Sequence, residues 1–188
     1  MRDLSLHLMD IVQNSISAKA SRVCISITAD SKEDLLVMKI ADNGEGIEES
    51  MLRDITSPFT TTRKTRKVGM GISLLKASSN MSGGDLVIYS KRFEGTTLEA
   101  TFKISHIDRL PLGDIAETMV TLILASPQIE FELAISNKAD CFEFDTAQVK
   151  EQLKEVPITQ FEVISWIRDY INDGIKIIFG GVLNEVLS

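Results

Sequence analysis

The chain has 188 residues, long enough for one well-buried core or for a domain carrying a small second lobe. Hydrophobic residues make up 44% and charged residues 25%, the balance of a soluble globular protein, and the net charge of −7 argues against general nucleic-acid affinity while leaving room for a small basic site for a compact anion. No apolar run approaches the ~20 residues of a membrane span, and Arg2, Asp3, His7 and Asp10 interrupt the N-terminus where a signal peptide needs an unbroken apolar core, so a cytoplasmic protein without a membrane partner is expected.

Leu4 to Ala18 reads as an amphipathic helix. At about 100° per residue, Leu8, Met9, Ile11, Val12 and Ile16 share one apolar arc, with His7, Asp10, Asn14 and Ser17 on a narrow polar stripe. Strands are expected at Arg22–Ala29 and Leu35–Ala41, both rich in β-branched residues, the second stopping at the turn signal Asp42-Asn43-Gly44. Residues 57–68 read as a loop with Pro58 near its start and Arg63, Lys64, Arg66 and Lys67 crowded together. A helix is expected from Gly69-Met70-Gly71 to Met81, ending at Gly83-Gly84. Asp85–Lys91 and Thr97–Ile104 then read as a hairpin through Glu94-Gly95.

The pattern shifts after His106, where Pro111-Leu112-Gly113 breaks the chain. Asp114–Ala125 looks helical, Gln128–Ser136 alternates like a strand, and Asn137-Lys138 marks a turn before a second strand at Asp140–Asp145. Helices follow at Thr146–Glu155 and Thr159–Asn172, the latter burying Phe161, Ile164, Ile167 and Ile171; Gly174–Ser188 has no clear period. The expected organisation is a chemistry-bearing domain over residues 1–105 and a small α+β lobe over 106–188 in which no chemistry is legible. Cys24 and Cys141 have no metal-ligand spacing and sit in apolar, strand-like stretches, so both are expected to be reduced and buried.

The chain has no Walker loop, so binding ATP would require another set of groups: a metal ligand, an acceptor for the adenine amine, close backbone approach and a basic cover. Asn14 offers an amide oxygen, a hard ligand suited to Mg²⁺. Asp10, one turn earlier, offers a carboxylate to orient a water or act as general base. Asp42 is acceptor-only when ionised, which favours the adenine amino group and repels the guanine carbonyl. Gly44 and Gly46 remove side chains where backbone must pass close to a base or ribose. Gly69-Met70-Gly71, at a helix start, offers N–H groups to phosphates. Each of these alone is also what a solvated helix face, a plain turn or a glycine-rich helix entry looks like. Their order along one chain is what points to a nucleotide.

Taken together, the boxes resemble those of the GHKL superfamily of gyrase B, large dimeric heat-shock chaperones, histidine kinases and MutL. Asp10-Ile-Val-Gln-Asn14-Ser-Ile-Ser-Ala18 is similar to its N-box, Asp42-Asn43-Gly44-Glu45-Gly46-Ile47 to its adenine-contacting glycine box, and Ser57-Pro58-Phe59-Thr60-Thr61-Thr62-Arg63 to the lid of histidine kinases and anti-sigma-factor kinases. Lys67-Val68-Gly69-Met70-Gly71-Ile72 resembles the second glycine box and Gly95-Thr96-Thr97 the final strand motif. The resemblance covers residues 4–104 and implies the Bergerat fold, an α/β (α+β) two-layer sandwich with a mixed sheet and helices on one face. It implies that Asn14 holds Mg²⁺, Asp42 reads adenine, Gly46 and Thr97 line the base pocket, and Gly69 and Gly71 meet the phosphates. The remaining box residues Ala18, Gly44, Ile47, Thr60, Thr61, Arg63, Lys67, Val68, Met70 and Ile72 would complete the nucleotide site.

Two departures bear on activity. Members that hydrolyse ATP usually carry Glu where this chain has Asp10, one methylene shorter, so slow turnover is expected. Histidine kinases also carry a dimerising helical pair with a phospho-accepting His ahead of this domain, whereas the N-box here begins almost at residue 1, so a complete sensor kinase is not expected. His7 shares its helix with the metal ligand and is read as site-lining or structural. The expected function is Mg²⁺-dependent ATP binding with slow hydrolysis or phosphotransfer to a protein partner. The alternative is a non-catalytic, ATP-responsive module acting through a nucleotide-ordered lid. Residues after 105 resemble small ATP-binding proteins encoded near iron-only hydrogenases, which implies a redox enzyme as partner.

Overall fold

The computed structural model describes residues 2–48, 52 and 70–180. Its regular elements run α1 (Leu4–Ser17), β1 (Arg22–Asp30), β2 (Leu35–Asp42), α2 (Gly71–Met81), β3 (Leu86–Lys91), β4 (Gly95–Lys103), α3 (Ile115–Ala125), β5 (Glu130–Ser136), β6 (Cys141–Asp145), α4 (Thr146–Leu153) and α5 (Phe161–Phe179). Three of the helices start on an aspartate whose carboxylate accepts from the first turn: Asp3 from Leu6 N, Asp114 from Glu117 N and Asp145 from Ala147 N. Such caps satisfy amides that have no partner within the helix.

The strands form one sheet in the order β3-β4-β2-β1-β5-β6. Every neighbouring pair is antiparallel except β1 and β5, which run parallel. Register aligns the apolar residues into rows across all six strands. One row reads Ile88, Leu98, Ile40, Ile25, Leu133, Phe144, and the next Leu86, Ala100, Met38, Ile27, Ile135, Phe142. Because side chains alternate between faces, these rows put one continuous apolar surface on one side of the sheet. The helices cover it in a line: α1 packs against both α2 and α3, and α3 against α5. The opposite face carries rows such as Tyr89, Thr97, Ala41, Cys24, Glu132, Asp145. This is the mixed two-layer α+β sandwich expected from the sequence. Residues 106–180 extend the same sheet by β5 and β6 and the same helical layer by α3 and α5, within one hydrophobic cluster.

Three expectations need correction. Cys24 is half-buried and Cys141 exposed, because register turns both to the polar face, where the Cys24 thiol donates to Glu132 at 3.0 Å. His7 is buried rather than lining a polar stripe, because α1 is packed on its flanks by α2 and α3 as well as on the sheet. The last helix runs on from Asn172 through Gly174 to Phe179. Gly174 is no stop signal: any Cβ there would overlap the Phe142 ring, which stands 5.0 Å from that of Tyr170.

Gly174→Ala should therefore destabilise the protein by about 1–3 kcal/mol through overpacking, despite the better helix propensity of alanine; in a Phe142→Ala background, where the clashing ring atoms are gone, the same substitution should cost little in a denaturant melt. Burial holds the His7 imidazole below its ordinary 6.5, with Asp10 and Asp3 pulling the other way. As pH falls through 6.5 the unfolded chain takes up this proton first, so the stability His7 confers is full above that value and is lost below it. His7→Gln should flatten the fall in melting temperature between pH 7.5 and 5.5; an unchanged slope would show that His7 does not titrate in this way.

Candidate functional site

Beyond the last apolar row, register places Ser90, Thr96, Asp42 and Val23 side by side on the helix-covered face. Asp42 ends β2, and α1 runs above it. Ser15 of α1 donates to Asp42 Oδ2 at 2.7 Å, and the Gly44 N–H donates to Oδ1 at 2.9 Å. Both carboxylate oxygens are thus oriented by a donor, and each keeps lone-pair capacity for a ligand. The floor beside them is apolar, built from buried Ile11, Ile40, Ile72 and Leu98. Together they line a cavity of about 770 Å³, within the range of small-molecule and cofactor sites.

The loop after Asp42 is fixed at several points. Asn43 Oδ1 accepts from the Ser21 and Arg22 amides at 2.9 Å each. The Glu45 N–H donates to the Ala18 carbonyl at 2.8 Å, and the Ile47 N–H to Ser90 Oγ at 2.8 Å. Gly44 is buried with its would-be Cβ 2.7 Å from the Ala18 carbonyl oxygen. Gly46 has φ +66° and passes so close to the Lys91 carbonyl that any Cβ would overlap it, so both conformation and space require glycine here.

Asn14, Ala18, Asp42, Gly46, Ile47 and Ile72 all line the cavity. Asn14 Nδ2 is buried without a hydrogen-bond partner. The two ends of an amide exchange by a half-turn, so this position suits an oxygen facing a cation equally well. Among the described residues no group of three His, Cys, Asp or Glu side chains is placed to hold a metal. One amide oxygen therefore fits a Mg²⁺ held mainly by phosphates and water, the usual habit of that ion.

Asp10 does not line the cavity. It is exposed one turn before Asn14, where α2 arrives: the would-be Cβ of Gly71 lies 2.9 Å from Asp10 Cβ and 3.1 Å from its Oδ2. Met70 caps α2 without a side-chain hydrogen bond, so the Asp10 carboxylate stands near the positive end of that helix. Gly44 lies one layer behind the cavity wall. Thr97, expected beside the base, pairs with Ala41 on the other face; Thr96, paired with Asp42, lines the cavity instead. Thr60, Thr61, Arg63, Lys67, Val68 and Gly69 lie outside the described residues. Sequence reasoning missed Ser15, Thr96, Arg92 and Phe93, all on the cavity wall. Ser15 and Thr96 sit beside residues it did name, one position from Asn14 and from Thr97.

Residues 2–106 match the family described as histidine kinase-, DNA gyrase B-, and HSP90-like ATPase. Similar curated proteins include the autoinducer 2 sensor kinase/phosphatase LuxQ of Vibrio parahaemolyticus serotype O3:K6, 29% identical over 114 residues covering 55% of this chain and 13% of LuxQ. Sporulation kinase D of Bacillus subtilis (strain 168) is 29% identical over 98 residues, covering 52% of this chain and 19% of the kinase. The chain thus spans under a fifth of the length of either. Among solved structures, the N-terminal domain of a DNA repair protein superposes with a TM-score of 0.50 at 15% identity, covering 76% of this chain and 52% of that one, a likeness of fold alone. The architecture is that of the Bergerat fold. Among the described residues no helix is long and apolar enough to cross a membrane.

Ser15→Ala removes the donor to Asp42 Oδ2 and should cost about 1 kcal/mol of stability in chemical denaturation. No loss would mean the carboxylate finds another partner and the hydroxyl is incidental.

Proposed function

The chain belongs to the histidine kinase-, DNA gyrase B- and HSP90-like ATPase family, and on that premise we propose that it binds Mg²⁺-ATP in the cavity above Asp42 and slowly hydrolyses it or passes its terminal phosphoryl group to a protein partner. The observation that carries this reading is the Asp42 carboxylate, oriented through both oxygens at the edge of an apolar slot. It would accept the adenine amino hydrogens, with Ala18, Gly46, Ile47 and Thr96 around the base. Asn14 would supply an oxygen to Mg²⁺, whose charge offsets that of the phosphates. The N-terminus of α2, at Met70, Gly71 and Ile72, would lie toward the phosphates, with Thr60, Thr61, Arg63, Lys67, Val68 and Gly69 closing over them. Phosphotransfer is supported by the relatives, which are named as kinases. A redox enzyme as the partner rests only on the resemblance of residues 106–188.

A second reading, an ATP-responsive module without turnover, is favoured by the position of Asp10. This carboxylate stands outside the cavity against Gly71 and is one methylene short of the usual glutamate. In that case the nucleotide orders residues 57–68 and so changes a partner surface.

Calorimetry with Mg²⁺-ATP, ADP and GTP tests the binding claim. Wild type should prefer adenine nucleotides. Asp42→Asn should weaken ATP binding by about 10- to 100-fold, the loss of a hydrogen bond to a charged acceptor, and Asn14→Ala should reduce the dependence on Mg²⁺. Folded wild type without affinity for ATP would defeat the reading. Phosphate release over hours, lost in Asp10→Ala, would select the enzyme; tight binding with equal, negligible release in both would select the module.

A further inference from the structure

The roles assigned above make no use of the one aromatic residue of the described cavity wall, or of the arginine beside it. Arg92 and Phe93 form the tip of the β3–β4 hairpin and line the same cavity as Asn14 and Asp42. Phe93 is 73% exposed, and its φ of +64° lies in the left-handed region that bulky L-residues avoid. A solvated aromatic ring and a strained backbone are two costs, and the contacts of the hairpin show how the second is sustained. The Phe93 N–H donates to the Glu45 carbonyl at 2.8 Å, which ties the tip to the glycine loop beside Asp42. Arg92 lies over the Phe93 ring at 4.9 Å from its centroid and pairs with Glu48 at 2.8 Å. The close approach of Gly46 to the Lys91 carbonyl locks hairpin and loop together from the other side. The ring is therefore held at the rim by the same loop that carries the base-reading carboxylate.

Strain kept at a binding rim, where the surrounding contacts over-determine it, is characteristic of a pre-organised ligand contact. The chemistry of this contact is also specific. A flat apolar ring offers nothing to a phosphate but stacks well on a heterocyclic base, and the guanidinium behind it is already paired with Glu48. We propose that Phe93 is a stacking platform for the purine of the bound nucleotide, with Arg92 as the positioning residue that steadies its ring. This rests on the nucleotide reading above and adds a division of labour to it. Asp42 chooses adenine through its acceptor geometry, whereas Phe93 supplies affinity that any base would enjoy, since every base has a π-face.

The test is a set of substitutions measured by calorimetry against Mg²⁺-ATP and inorganic tripolyphosphate, with melting temperatures alongside. Phe93→Gly relieves the left-handed strain, so it should melt no lower than wild type while binding ATP about tenfold more weakly, a loss in the range of base–aromatic stacking. Its affinity for tripolyphosphate, which has no base, should not change. Phe93→Trp and Phe93→Leu repeat the comparison without glycine: Trp should keep ATP affinity and Leu should lose it. ATP affinity equal to wild type in both Phe93→Gly and Phe93→Leu would overturn the platform while leaving the nucleotide site intact. Failure of folded wild type to bind ATP at all would overturn the nucleotide reading, and the platform with it.

Discussion

Asp42 points at the helices because Val23 and Thr96 stand opposite it in the β2 register, and the candidate site is organised around that fact. A slip of one residue would send every β2 side chain to the other face. Ala41 would then meet α1, and the carboxylate would lie among Cys24, Thr97 and Glu132. The apolar rows centred on Ile40, Met38 and Leu36 resist such a slip, since each would leave the core. The same residues that stabilise the sheet thus aim the polar group at its edge. The hydroxyl of Ser15, delivered by α1, and the amide of Gly44 then fix the rotamer.

α1 is the second element on which the site depends. Its apolar arc lies on the sheet, and its last turn and C-cap bring Asn14 and Ala18 to the cavity, with Asp10 one turn earlier and outside it. Gly71 lets the start of α2 reach Asp10 without a side chain in the way. One consequence is a competition at that carboxylate. Held near the positive end of α2, it is drawn toward the same helix terminus that phosphates would seek. Whether Asp10 serves a reacting water or chiefly completes the start of α2 is the physical difference between an enzyme and a switch.

Much of this was legible in the sequence. Helical periodicity over residues 4–18 and the alternation over 128–136 gave both elements to within two residues. The glycine loop after β2 could be read because Asp42, Gly44 and Gly46 each have a conformational or chemical reason to be there. What was not legible depended on which face a side chain takes. Cys24 and Cys141 sit in strands whose two faces both tolerate apolar residues, and only register decides between them. Thr96 and Thr97 are chemically alike neighbours, separated by the same alternation. Asn172-Asp173-Gly174 carries every mark of a helix end, yet the helix continues because Phe142, distant in sequence, packs where a side chain would be. The Arg92–Phe93 tip gave no signal because its role arises from the loop it touches.

The central claim is that a nucleotide occupies the space between α1 and the end of β2. The most direct measurement is a ¹H–¹⁵N correlation spectrum of the chain titrated with Mg²⁺-ATP. Shifts concentrated at the amides of Ala18, Gly44, Gly46 and Thr96, with β6 and α5 undisturbed, are what the account predicts. Shifts confined to the opposite face of the sheet, around Cys24 and Glu132, or no shifts at all, would contradict it.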